Sequence, residues 1–200
     1  MSRKVFTAGM FVALSLLLGA APAQAQIARR SEIGAQFTTI RIGGLATTEP
    51  GVGGRYTYNF TDQFALESEF NFLPRDRANA ANGGGGRKVE ALFGAKLGLR
   101  TPDFGFFGKV RPGFMHFGRV FKCASPASAS CPAGSATRFA FDVGGVIEYY
   151  PRCCVLLRFD LGDTVIGLGD RTIDTATGPR RVGGGATHNF QFSAGVGFRF

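Results

Sequence analysis

At 200 residues, with 30 glycines, 21 phenylalanines and a formal net charge of +9, the chain has the length of one domain and nothing that argues for two. Glycine occurs at about twice its usual share, yet it is interspersed with Phe, Val and Tyr, which excludes a flexible linker and points to strands. The basic excess would suit nucleic acid, but an exported chain rarely meets any, so anionic lipid head groups are the expected partners.

Export is read from the N-terminus. Arg3 and Lys4 precede the apolar run Met10 to Leu18, and Ala23-Gln24-Ala25 follows, the order of a basic region, an apolar core and a small-x-small cleavage site. Residues 1–25 are therefore expected to be a signal peptide and residues 26–200 the mature domain. A membrane anchor is the alternative, but the run falls short of the roughly 20 apolar residues a spanning helix needs.

Beyond the leader, helical periodicity is absent and period-two alternation recurs between turn signals. Strands are expected near 31–41, 50–60, 64–73, 88–100, 104–117, 138–150, 154–163 and 187–200. In "FALESEFNF", Phe64, Leu66, Phe70 and Phe72 share one face, with Ser68 the exception, and Ala65, Glu67, Glu69 and Asn71 share the other. In "VEALFGAKLGLR", Val89 to Leu99 alternate with Glu90, Gly94, Lys96, Gly98 and Arg100. The connectors "TDQ", "TPD" and "PRC" are tight and interleave with the longer 42–49, 74–87, 118–137 and 164–186. An even strand count with short turns at one end and long loops at the other is the pattern of an eight-stranded antiparallel up-and-down transmembrane β-barrel. Lipid offers the backbone no hydrogen-bond partner, so such a sheet must close.

The long connectors also carry chemistry. "GGGGRK" at 83–88 lacks the spacing and the strand-to-helix context of a phosphate loop and is read as a flexible external loop. Cys123 and Cys131 bracket "ASPASAS", which predicts a disulfide closing a surface loop in an exported protein. Cys153 and Cys154 are adjacent, and a vicinal bridge, an interchain bridge and free thiols all remain open. The only histidines are His116 and His188, so no zinc set is expected. Asp163, Asp170 and Asp174 match no calcium loop. Neither metal nor cofactor is expected.

Which face meets lipid is decided by charge, because a soluble lipocalin-like barrel would turn its apolar face inward. The polar faces carry Arg55, Glu67, Glu69, Lys96, Lys109, Arg111, Glu148, Arg158 and Asp160. Near-balanced opposite charges suit a confined lumen where each can pair, and the glycines on the same face (53, 94, 98, 113, 144, 195 and 197) leave room for long side chains. An outward Arg or Lys at mid-membrane would cost about 2–4 kcal/mol, and the deduced outer faces have essentially none. Arg75, Arg77, Arg87, Arg119, Lys122, Arg171, Arg180 and Arg181 fall in or beside the long loops, where lipid phosphates are one expected contact.

On "GVGGRYTYNFTDQFALESEFNFLPR", "FGKVRPGFMHF", "GGVIEYYP", "LRFDLGD" and the terminal "VGFRF", the chain resembles the small eight-stranded outer-membrane barrels of the OmpA/OmpX type. The resemblance implies an outer-membrane location and a lumen blocked or gated by the interior acids and bases. It also implies that Phe200 is what the barrel assembly machinery reads. No periplasmic cell-wall domain is expected, so peptidoglycan anchoring does not carry over by resemblance. Similar barrels include lipid A deacylases with a His-x-Ser pair, but here Phe190 stands two residues after His188, where the serine would be needed. The first expectation is a monomeric, non-enzymatic structural or surface-interaction barrel with a plugged lumen, in contact with lipopolysaccharide. Neutralising Arg111 or Glu69 should then raise leak. A narrow ion-permeable pore, a lipid A acyl hydrolase and a soluble periplasmic binder are the alternatives.

Overall fold

The computed structural model describes residues 30–43, 47–75, 85–121, 133–152, 154–167, 171–175, 178–182 and 184–200. The expected signal peptide, Cys123, Cys131, Cys153, Asp170, Arg77 and Lys122 lie outside the described residues. Ten strands form in chain order: β1 (Ser31–Ile42), β2 (Thr47–Asn59), β3 (Phe64–Leu73), β4 (Gly85–Arg100), β5 (Phe104–Phe121), β6 (Ala133–Arg152), β7 (Val155–Gly167), β8 (Arg171–Thr175), β9 (Gly178–Val182) and β10 (Ala186–Arg199). Eight of them close one antiparallel barrel in the order β1-β10-β7-β6-β5-β4-β3-β2, and β8 and β9 pair as a separate hairpin.

Strand pairing reaches beyond the sequence reading at two kinds of place, the strand ends and a long connector. β5 and β6 run to 18 and 20 residues, well past the expected 117 and 138, and the connector 164–186 holds the β8–β9 hairpin. The reason is the same in both. Alternation marks a strand only where one face is apolar and the other is not, and pairing continues through "AGSAT" and "RTIDT" without that contrast. Likewise Gly85 to Lys88 belong to β4 rather than to a loop. Gly86 takes a positive φ of 76° at an irregularity in the β4–β5 pairing, a conformation that glycine adopts at little cost.

Closure is set by register. One continuous row of partners runs Tyr58, Leu66, Ala95, Val110, Val143, Asp163, Phe190, Arg41 and Thr48, returning to β2 displaced by ten residues from where it left. With eight strands, ~3.3 Å per residue and ~4.8 Å between strands, that displacement tilts the strands by roughly 40°. The seam closes with Ser31 N donating to Phe200 O at 3.1 Å and Phe200 N to Ser31 O at 2.8 Å.

Alternation then sorts the side chains. Ile33, Phe37, Phe70, Phe93, Leu97, Leu99, Phe114, Phe159 and Phe190 stand exposed on the outer wall, while the other parity is buried. Aromatics gather at both ends of this wall. Tyr58 and Phe60 (5.0 Å), Phe104 and Tyr149 (5.0 Å) and Phe198 and Phe200 (6.5 Å) lie at the short-turn end, and Phe114 packs on Phe139 (6.3 Å) toward the long loops. Given the tilt, the apolar band is roughly 25 Å tall, the height of a hydrocarbon layer flanked by aromatic girdles.

Candidate functional site

The lumen is filled in layers. Arg55, Glu67, Glu69, Lys96, Lys109, Arg111, Glu148, Arg158 and Asp160 all point inward and are buried, and they meet in one network. Arg158 chelates Glu67 through both terminal nitrogens (2.7 and 2.9 Å) and Asp160 through Nε and Nη2 (2.8 Å each). Arg111 donates to Asp142 at 2.9 and 2.6 Å, to Glu67 at 3.3 Å and to Glu69. Lys109 lies between Asp142 (3.1 Å) and Asp160 (3.3 Å), and Lys96 contacts Glu148. Arg55 reaches Gln36 at 3.0 Å and Asp160 at 3.8 Å. Fork-shaped guanidinium groups chelate a carboxylate through two parallel N–H donors, as a lysine could not.

At the short-turn mouth Glu32 gathers Arg199 (2.8 Å), Asn59 (2.9 Å) and Arg100 (3.4 Å). Tyr150 donates to Glu148 at 2.6 Å and accepts from Arg100 at 3.0 Å, with Arg199 over its ring at 4.6 Å. Asp142, Glu32, Arg100, Tyr150 and Arg199 were not in the sequence-derived network. Parity would have found Asp142, which shares the inward face of β6 with Gly144 and Glu148.

Above the charges sits a layer of neutral hydrogen-bonding groups. Asn71 donates to both Glu69 and Glu90 at 2.7 Å and accepts from Gln36 at 2.8 Å. Gln191 donates to Glu90 at 3.1 Å and accepts from Thr164 at 2.6 Å. Nearest the long loops the inward face turns apolar: Ile40, Ile42, Leu73, Leu92, Met115, Ala140 and Ile166 form one buried cluster with Phe117 against it. Lys88 and Glu49, 3.6 Å apart, lie at this end. Sequence reasoning missed the apolar layer because these residues share a parity with Gln36, Glu69 and Arg111 lower on the same strands.

The outer wall ends in a polar collar at the long-loop end, where Arg41, Arg75, Arg87, Arg119, His116 and His188 are exposed. Arg75 donates to Thr48 O at 3.4 Å, and His116 pairs with Thr137 at 2.9 Å. Asp163 is taken up by His188 Nδ1 (2.5 Å) and Asn189 N (2.9 Å). Asp174 lies in the β8–β9 hairpin, and no metal-holding cluster of three His, Cys, Asp or Glu occurs among the described residues. Cys154 is half-buried in the β6–β7 turn, where its carbonyl accepts from Arg199 N at 2.7 Å.

Residues 11–200 match the family described as outer membrane protein beta-barrel domain. The chain belongs to that family. No curated protein matches it. Among solved structures it is similar to the N-terminal β-barrel domain of Pseudomonas aeruginosa OprF, with 16% identity over 84% of this chain and 97% of that one and a TM-score of 0.50. It is also similar to Neisserial surface protein A, with 14% identity over 85% and 96% and a TM-score of 0.52. At these identities the likeness is one of fold. The family member is thus a barrel of the bacterial outer membrane, with its short turns toward the periplasm and its long loops outside.

Proposed function

We propose that this barrel is a closed structural and surface-interacting element of the outer membrane, not a conduit. The observation that carries this reading is the stacking of two chemically different plugs in one lumen: the ion-paired layer below and the apolar cluster of Ile40, Leu73, Leu92, Met115 and Ile166 above. An ion crossing the first by exchanging with its charges would still have to pass a mainly apolar layer, where the buried Lys88 and Glu49 hold their charges on each other. The expectation that neutralising Arg111 or Glu69 alone raises leak is therefore revised. With the apolar layer intact, leak should stay low.

Planar-bilayer recording tests this. Purified protein should show no steady conductance, and Arg111→Met or Glu69→Gln alone should add little. Combining Arg111→Met with Leu92→Ser and Met115→Ser should produce measurable current. A robust open channel in the unaltered protein would overturn the closed reading in favour of a narrow ion-permeable pore.

Outside, the collar supports contact with lipopolysaccharide. Arg41, Arg75, Arg87 and Arg119 are all exposed at the extracellular end, whereas the periplasmic end exposes both signs in Arg30, Asp62, Asp103 and Arg152. Arginine binds phosphate through paired N–H groups, so this asymmetry suits a leaflet of phosphorylated lipid. The reading assigns no reaction to the chain, and lipid A from expressing cells should keep its acylation pattern by mass spectrometry.

A further inference from the structure

Of the acids on the barrel strands among the described residues, Glu32, Glu49, Glu67, Glu69, Glu90, Asp142, Glu148 and Asp160 face the lumen. Asp163 faces out. In the closing row it follows Val143 and precedes Phe190 and Arg41, which places it on the lipid-facing wall, roughly 6–8 Å below the level of Arg41 and His188 at a tilt of roughly 40°. A carboxylate facing hydrocarbon is unfavourable, so its position calls for a reason.

The neighbours supply one. Phe190 on β10 stands between Asp163 of β7 and Arg41 of β1, and His188 lies two residues above it on the same outward face, diagonal to both. A carboxylate can only accept, so His188 donates its Nδ1 proton to Asp163 at 2.5 Å, which fixes the ring and leaves Nε2 as the free nitrogen. The imidazole is 75% exposed. Arg41, on the adjoining strand, is exposed and makes no ion pair among the described residues. Thr39 and Thr48 flank it on the same outward face.

We propose that Arg41 and His188, with Asp163 behind the imidazole, form a notch that binds a phosphate group of an outer-leaflet lipid. Arg41 supplies the charge and a paired N–H fork, and His188 supplies a second donor when its ring is protonated. Asp163 holds that ring at the edge of the apolar band, where a phosphate carried on acyl chains would sit. The inference rests on reading the extracellular collar as facing phosphorylated lipid, and it narrows that contact to one side of the barrel.

The test is titration of the detergent-solubilised barrel with diphosphoryl lipid A, read by native mass spectrometry. Inorganic phosphate and dephosphorylated lipid A serve as separate probes, and boiled against unboiled gel mobility confirms folding of each variant. Arg41→Gln with His188→Gln should weaken lipid A binding about tenfold or more, and Asp163→Asn should weaken it less. Arg30→Gln with Arg152→Gln, at the periplasmic end, should leave it unchanged. If the unaltered barrel binds no lipid A, the collar reading falls and the notch with it. If it binds but the Arg41 and His188 variant binds equally well, the notch alone is overturned. Equal binding of the dephosphorylated lipid, or saturation by inorganic phosphate at the same concentrations, overturns it too.

Discussion

Arg158 and Arg111 hold the lower plug because each guanidinium is shared among carboxylates from different strands. Arg158 on β7 spans to Glu67 on β3 across the lumen, so its loss strands buried acids on two sides. Breaking a buried pair by removing one partner costs about 3–5 kcal/mol. Arg158→Met should lower unfolding stability by that order in urea titrations of the lipid-reconstituted barrel, and Glu67→Gln added to it should restore part of the loss. Equal losses in single and double variants would mean that the pair is not coupled. The nine interior charges could be named from parity because their strands alternate without interruption. Asp142 was missed although it obeys the same rule, and the many partners of Arg111 follow only from closure.

At the scale of the strand, inward glycines decide whether neighbouring strands can close with long charged residues between them. A Cβ at Gly94 would run into the backbone of Val110 and Arg111, whereas one at Gly108 or Gly145, on the outer wall, would meet nothing nearer than 3.9 Å. Gly94→Val should therefore reduce the folded fraction seen by heat-shifted gel mobility, and Gly145→Ala should be tolerated. If both behave alike, the lumen has slack that the contacts do not show. The seam strand β10 carries a further prediction. Phe200 pairs with Ser31 in both directions and stacks on Phe198, and we propose that it also serves as the signal for assembly. Phe200→Ala should lower the outer-membrane yield while leaving precursor levels unchanged, and an unchanged yield would make it only a strand end. β8 and β9 were illegible for a physical reason: their sequence carries no period-two contrast between an apolar and a polar face.

For the whole molecule, the consequence of closure is a column of distinct chemistries inside a uniform apolar coat. Most of the charge lies toward the periplasm, amides and hydroxyls above it, and a mainly apolar cluster beside the Lys88–Glu49 pair at the extracellular mouth. If the lumen is closed as proposed, leak is a cooperative property of two layers, which is why the conductance prediction needs a combined variant. On the exterior, the fully exposed charges among the described residues are cationic at the extracellular end and of both signs at the periplasmic end.

The sequence by itself determined that the chain forms an eight-stranded closed sheet with lipid outside and charge inside. Each of those conclusions depends on a period of two within a strand, on connector lengths and on the cost of burying charge in lipid, and all three are local or compositional. The tertiary structure alone decided which layer each inward residue joins, because layer depends on the ten-residue displacement around the barrel, and a strand carries no record of its neighbours' register. The same displacement brings Ile40, Leu73 and Met115 to one height and sets Asp163 below His188. Residues as far apart in the chain as 41 and 190 become neighbours only once the sheet has closed.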